Sequence, residues 1–272
     1  RSEIGVSSSH LGNALDSIDF GSGITASQIA TGSNHVCALL SDETIKCWGN
    51  NDYGQLGLEN TTSTTSPTDS IDFGDLTPSS ISANGNTTCA VLHENYSSYY
   101  IKCWGDNSSG QLGIDSTDNI GDNTGEMGEH LDYVDIGSYH PKQVAVGQSH
   151  VCALLRNPTS YNYYDYYVMC WGENSSGQLG IGTTHNIGNV STTSGCSSSD
   201  CAISEMSTID FGTGVYPNQI IAGDNHTCAS VTTDDSSYSA KCWGDNSFGQ
   251  LGIESESNVG DTSSSAVAST AA

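Results

Sequence analysis

The chain has 272 residues, 35% of them hydrophobic, enough for a sizeable core. No apolar run approaches the ~20 residues that span a bilayer, so no membrane insertion is expected. Thirty-one Asp and Glu stand against six Lys and Arg, a formal charge of −25 with only 14% charged residues, so the imbalance comes from missing bases and binding to nucleic-acid phosphates is disfavoured.

Arg1 falls inside a repeated phrase, which suggests a processed or incomplete N-terminus. The first unit, 1–57, runs through SIDFG (17–21), VCALL (36–40) and IKCWG (45–49) to CWGNNDYGQLG (47–57). The second, 58–113, repeats SIDFG (70–74) and closes with CWGDNSSGQLG (103–113). VDIG (134–137) and CWGENSSGQLG (170–180) mark the third, 114–180. TIDFG (208–212) and CWGDNSFGQLG (242–252) mark the fourth, 181–252, and residues 253–272 form the start of a further repeat or a tail. All four tryptophans lie in these closing phrases, so internal repetition dominates the reading. The Ile-Asp-Phe-Gly phrase reads as the strand opening each repeat. VCALL and IKCWG are β-prone runs joined by a polar turn, and the unbroken apolar run of VCALL predicts a strand covered on both faces. Small sheets stacked around an axis meet that requirement, so the expected fold is all-β, made of propeller-type blades.

The cysteines support hairpins. Cys37 to Cys47, Cys89 to Cys103, Cys152 to Cys170 and Cys228 to Cys242 are separated by 10, 14, 18 and 14 residues, so every increment is even. Lengthening a hairpin equally on both arms keeps its original pair opposed. Opposed residues at a non-hydrogen-bonded site have Cα atoms roughly 4.5–5.5 Å apart, within reach of a disulfide. Four bridges within hairpins follow, with Cys196 and Cys201 left to close a small loop, and an oxidising compartment is implied. His35, His150 and His226 each precede a cysteine by two residues, but the second unit has Thr87 there and the cysteine spacings vary, so no metal site is expected. The histidines read as backbone hydrogen-bonding groups near the axis of the ring.

The string H-x-C-A-L followed by C-W-G-x-N-x-x-G-Q-L-G resembles the repeat of the regulator of chromosome condensation family, over essentially the whole chain. The resemblance implies β-propellers, typically of seven four-stranded blades, and the cysteine-bearing form is similar to secreted versions of the repeat. Four repeats are too few for such a ring, so an open or incomplete ring is expected. The family's founding member is a nuclear guanine-nucleotide exchange factor. The acidic charge, the cysteine pattern and the missing basic tail argue against that role here. No G-x-S-x-G elbow, P-loop or dinucleotide fingerprint is present, so neither catalysis nor a cofactor is expected.

Sequons occur at Asn60, Asn86, Asn95, Asn107, Asn174, Asn189 and Asn225. Asn107 and Asn174 occupy the turn of the W-G-x-N phrase, and Asn86 and Asn225 precede a core strand. This leaves Asn60, Asn95 and Asn189 as candidate glycan acceptors in variable loops or a hairpin extension. Tyr161, Tyr163, Tyr164, Tyr166 and Tyr167, toward the tip of the longest hairpin, suit protein or glycan contacts, or equally cross-strand stiffening. The acidic loop 115–129 could hold calcium, but it lacks a regular ladder of ligands and reads as a solvated loop. The expected function is that of an extracellular or cell-surface structural subunit, partnered by copies of itself or by further repeats of the same chain, in a glycoprotein filament or surface assembly. A soluble propeller, or a fragment of one, binding an extracellular protein or glycan through its loops is the alternative.

Overall fold

The structure, a computed structural model, describes residues 7, 11–67, 69–95, 97–160, 165–190, 200–234, 237–265 and 267. Each repeat contributes three antiparallel strands to a sheet of its own. Blade 1 holds β1 (Ala26–Thr31), β2 (His35–Leu40) and β3 (Ile45–Gly49), and blade 2 holds β4 (Thr77–Asn84), β5 (Thr87–Asn95) and β6 (Ser98–Gly105). Blade 3 holds β7 (His140–Val146), β8 (His150–Arg156) and β9 (Tyr166–Gly172), extended by the two-residue strands β10 (Asn186–Ile187) and β11 (Asp200–Cys201). Blade 4 holds β12 (Tyr216–Ala222), β13 (His226–Asp234) and β14 (Ser237–Gly244). In place of a full fourth strand, a single bridge pairs the glycine ending each third strand with a residue fifteen positions on: Gly49 with Thr64, Gly105 with Ile120, Gly172 with Ile187 and Gly244 with Val259.

The middle strands of blades 1 to 3 are buried almost throughout, whereas that of blade 4 alternates buried and half-buried residues. Cys37, Ala38, Leu39 and Leu40 are all buried, as are Cys152, Ala153, Leu154 and Leu155. The first strands lie side by side, β1 against β4, β4 against β7 and β7 against β12, around a cavity of ≈ 590 Å³. The blades therefore fan around that cavity as an open arc.

In the four disulfides described the cysteines are directly opposed, Cys37 to Cys47, Cys89 to Cys103, Cys152 to Cys170 and Cys228 to Cys242, with Cα atoms 4.1 Å apart in each. Leu40 N–H donates to Thr44 C=O at 2.9 Å, and the strict alternation of an antiparallel ladder then puts Cys37 and Cys47 at a non-hydrogen-bonded site. Cys201 is also disulfide-bonded, whereas Cys196 lies outside the described residues.

The Ile-Asp-Phe-Gly phrase does not form the opening strand, which begins a few residues later. The phrase lies extended beside the third strand of the preceding sheet and joins it by one bond in each case: Ile71 N–H to Ile45 C=O, Val134 N–H to Ile101 C=O and Ile209 N–H to Val168 C=O, at 2.8–2.9 Å. Its alternating apolar residues mimic a strand because they plug the gap between blades, Phe73 lying 5.5 Å from Trp104 and Phe211 5.8 Å from Trp243. Its Asp ends the run by accepting the N–H two residues on, as Asp72 does from Gly74 at 2.8 Å.

Candidate functional site

The groups that the repeat positions most consistently lie at the junctions between blades. The turn after each tryptophan is organised by a fully buried asparagine. Asn51 Oδ1 accepts Leu56 N–H at 2.9 Å and its Nδ2 donates to Asn60 C=O, and Asn107, Asn174 and Asn246 repeat the arrangement. The following glutamine accepts the N–H two residues before it, as Gln55 does from Tyr53 at 2.9 Å. This double clamp leaves the glutamine's own C=O pointing at the next blade.

That carbonyl is the acceptor of a lock. Trp104 Nε1 donates to Gln55 C=O at 3.1 Å, Trp171 to Gln111 at 2.9 Å and Trp243 to Gln178 at 2.9 Å, and all three indoles are fully buried. At junctions 1/2 and 3/4 a threonine joins. Thr88 Oγ1 donates to Gln55 C=O at 3.1 Å and lies 2.8 Å from His35 Nε2, and Thr227 Oγ1 donates to Gln178 C=O at 3.2 Å and lies 2.8 Å from His150 Nε2. A threonine hydroxyl has one hydrogen, so each His Nε2 must be the donor, and its Nδ1 is a bare lone pair with no partner. Burial pushes the His35 imidazole down to about 4 and, helped by nearby His226, that of His150 to about 3. Through Nε2 the histidines thus bond the next blade's side chain, a contact that the sequence did not show. Gly32 makes room for the ring, since a Cβ there would stand 2.1 Å from His35 Cε1.

Junction 2/3 is built differently. Thr87 and Val151 replace the histidine and the threonine, and Thr87 returns its hydroxyl to Asp106 C=O of its own blade at 2.9 Å. Nearer the axis, a β-bulge in the first strand turns a glutamine toward the neighbour at the outer junctions. Gln28 bonds both N–H and C=O of Ile81, at 3.0 and 2.9 Å, and Gln143 does the same to Ile220, at 3.1 and 2.7 Å. Junction 2/3 has Ser80 there, and Ser82 Oγ accepts Val146 N–H at 3.1 Å instead.

The other residues singled out in the sequence lie away from these locks. Tyr161, Tyr163 and Tyr164 fall outside the described residues. Tyr166 and Tyr167 are half-buried on β9, where Tyr167 packs 5.2 Å from Tyr139 and donates to Asp165, which pushes its phenol up to about 12. Rings continue toward blade 2, with Tyr99 lying 5.3 Å from His140 and Tyr100 lying 5.6 Å from Tyr133.

Asn95 is exposed at the tip of the β5–β6 hairpin, and Asn60 is exposed but sends its Nδ2 to Leu58 C=O at 2.6 Å. Asn189 is not in an open loop. It is half-buried, its Nδ2 is held by Asp200, and its Oδ1 is buried without a partner. In the acidic loop, Glu126 accepts the N–H groups of Gly121, Asp122 and Asn123 at 2.9–3.1 Å, and Glu59 reaches from the preceding repeat to those of Gly125 and Met127. Among the described residues, no cluster of three or more His, Cys, Asp or Glu is placed to hold a metal ion.

The spacing of these groups matches known proteins. Models of the regulator of chromosome condensation (RCC1) repeat match residues 26–55, 142–178 and 219–250, and residues 47–91. The ultraviolet-B receptor UVR8 of Arabidopsis thaliana is 27% identical over 83% of this chain and 42% of its own length. The probable E3 ubiquitin-protein ligase HERC6 of Homo sapiens is 26% identical over 83% of this chain and 18% of its own. Among solved structures, human WBSCR16 matches with a TM-score of 0.59 at 19% identity, over 89% of this chain and 52% of that one. Prp20p of Saccharomyces cerevisiae, described with its binding to Gsp1p and histones, matches with a TM-score of 0.55 at 21% identity, over 86% and 47%. The chain thus spans less than half the length of these curated relatives and about half that of the solved structures. The four copies of the Trp-Gly-x-Asn-x-x-Gly-Gln-Leu-Gly turn, the propeller blades they join and the matching repeat models place this chain in the regulator of chromosome condensation (RCC1) repeat family.

Proposed function

We propose that the chain is a non-enzymatic extracellular structural repeat protein, a subunit of a glycoprotein filament or surface assembly in which further blades cover the two open faces of the arc. The observation that carries this reading is that, among the described residues, the junction groups recur on those faces with no neighbouring blade against them. Trp48 is only half-buried where the other tryptophans are fully buried, and Ile29 is 58% exposed where its counterparts Ile81 and Ile220 are 3% and 0% exposed. At the other end Gln219 is exposed, and a Cβ at Gly249 or Gly252 would meet nothing within 4 Å. Uncovered strand edges and apolar faces of this kind are ones that proteins normally cover or blunt. The disulfides support an oxidising, extracellular setting. Protein isolated from its source should come from the extracellular or surface fraction, in particles heavier than its denatured chain. Recovery inside the cell would overturn the reading.

A second reading has support in the match to only about half of each solved relative: a propeller completed by further repeats of one chain, binding a protein partner or a glycan through its loops. Tyr133, Tyr166 and Tyr167 would then supply amphipathic contact area. A native particle no heavier than the denatured chain, with both faces protected from proteolysis, selects this alternative.

Of the candidate glycan acceptors, Asn95 has the exposed hairpin-tip position that a bulky glycan requires, whereas Asn174 is fully buried in its turn. Glycopeptide mass spectrometry should find Asn95 occupied and Asn174 bare, and the reverse pattern would show that the turn is misplaced.

A further inference from the structure

We infer that the forward face of blade 4 is built to receive a blade of the same repeat whose second strand opens Thr-Cys, and that it discriminates against the rear face of blade 1 of a second copy. This rests on the reading that further blades cover the open faces, and it names which blade fits.

The two residues before the first cysteine of each unit form a code across every junction. The outer position, which faces forward, holds His35, Thr87, His150 and His226 in blades 1 to 4. The inner position, which meets the blade behind, holds Val36, Thr88, Val151 and Thr227. At both junctions where a histidine faces forward, the next blade presents threonine, and the hydroxyl accepts from Nε2 while donating to the Gln55 or Gln178 carbonyl. At the one junction where threonine faces forward, the next blade presents valine, and the Gln111 carbonyl is left to Trp171 alone.

Blade 4 faces forward with histidine. His226 stands over Gly223 as His35 stands over Gly32 and His150 over Gly147, so its ring is already posed for a lock, but among the described residues no threonine meets it. Asn246 clamps the Gln250 turn like the other three, leaving its carbonyl in the equivalent place. Blade 1 would bring Trp48 for that carbonyl, but it would set Val36 against His226 Nε2. The contact would strip water from an N–H donor and offer it two methyl groups, the mismatch that each junction inside the chain avoids. A blade opening Thr-Cys satisfies the histidine, the glutamine carbonyl and the tryptophan pocket together.

Sedimentation velocity of the 272-residue chain and two single variants tests the code. V36T gives blade 1 the missing hydroxyl at nearly unchanged volume, and H226T converts the forward face of blade 4 to the Thr87 type that accepts valine. Each variant should lower the self-association constant for dissociation by roughly tenfold to a hundredfold, the effect of satisfying or removing one buried donor. A wild-type chain that associates as tightly as either variant, or variants no tighter than wild type, would overturn the inference. Wild-type assembly through other surfaces would remove the code while leaving the structural-subunit reading in place.

Discussion

Full reduction of the disulfides should abolish the cooperative fold at room temperature. The bridges close loops of 10, 14, 18 and 14 residues, each within one blade. In the chain-entropy model each loop contributes about 3 kcal/mol, roughly 12 kcal/mol together, as much as the whole ~5–15 kcal/mol stability of an ordinary domain. Cys152 and Cys170 are almost fully buried, so an alanine pair there is the cleaner probe of one staple. Replacing Cys152 and Cys170 by alanine should lower stability by about 3 kcal/mol, read as a shifted urea midpoint at unchanged slope. An unchanged midpoint after verified reduction would mean that the staples constrain nothing in the unfolded chain.

The second large effect is acid destabilisation confined to two of the three junctions. His35 and His150 are neutral in the fold, with imidazoles lowered to about 4 and about 3 by burial, while the unfolded chain takes up protons near the ordinary 6.5. Between those values the unfolded state binds more protons, so stability rises with pH and is lost as pH falls from 6.5 toward 4. At pH 5 each imidazole removes about 2 kcal/mol, from 1.5 units at about 1.4 kcal/mol per unit. The double variant H35T/T88V rebuilds junction 1/2 with the chemistry of junction 2/3. Its urea midpoint should depend on pH about half as steeply over this window as that of the parent chain. An equal slope would show that the histidines are not the groups that titrate.

The pairing of the four hairpin disulfides was legible in the sequence because strand pleating has a period of two, so even increments carry register information however long the hairpin grows. The asparagine turn was legible because it is local: Asn51 reaches only to Leu56 and Asn60. The junction locks were not. His35 and Thr88 are 53 residues apart, and His150 and Thr227 are 77 apart, so no window links them. A signal was nevertheless present, since Val and Thr alternate before the first cysteine of successive units. The Ile-Asp-Phe-Gly phrase misled because two-residue apolar periodicity records which side chains are buried, and a wedge between blades buries alternate residues as a strand does. Asn189 misled because the acidic partner holding its amide, Asp200, lies 11 residues away across an apparent loop.

The placement of the covalent links has a mechanical consequence. The four described bridges each join neighbouring strands of one blade, and none ties a blade to the next, so junctions are held only by groups that can part and re-form. A load applied to the two ends would draw the arc out at its junctions. Junction 2/3 would yield first, because it lacks both the glutamine and the histidine bonds of its neighbours. Within each blade the staple would remove the residues between its cysteines from the extensible length, so stretching ends at a string of intact loops from which the blades can restack when the load is released.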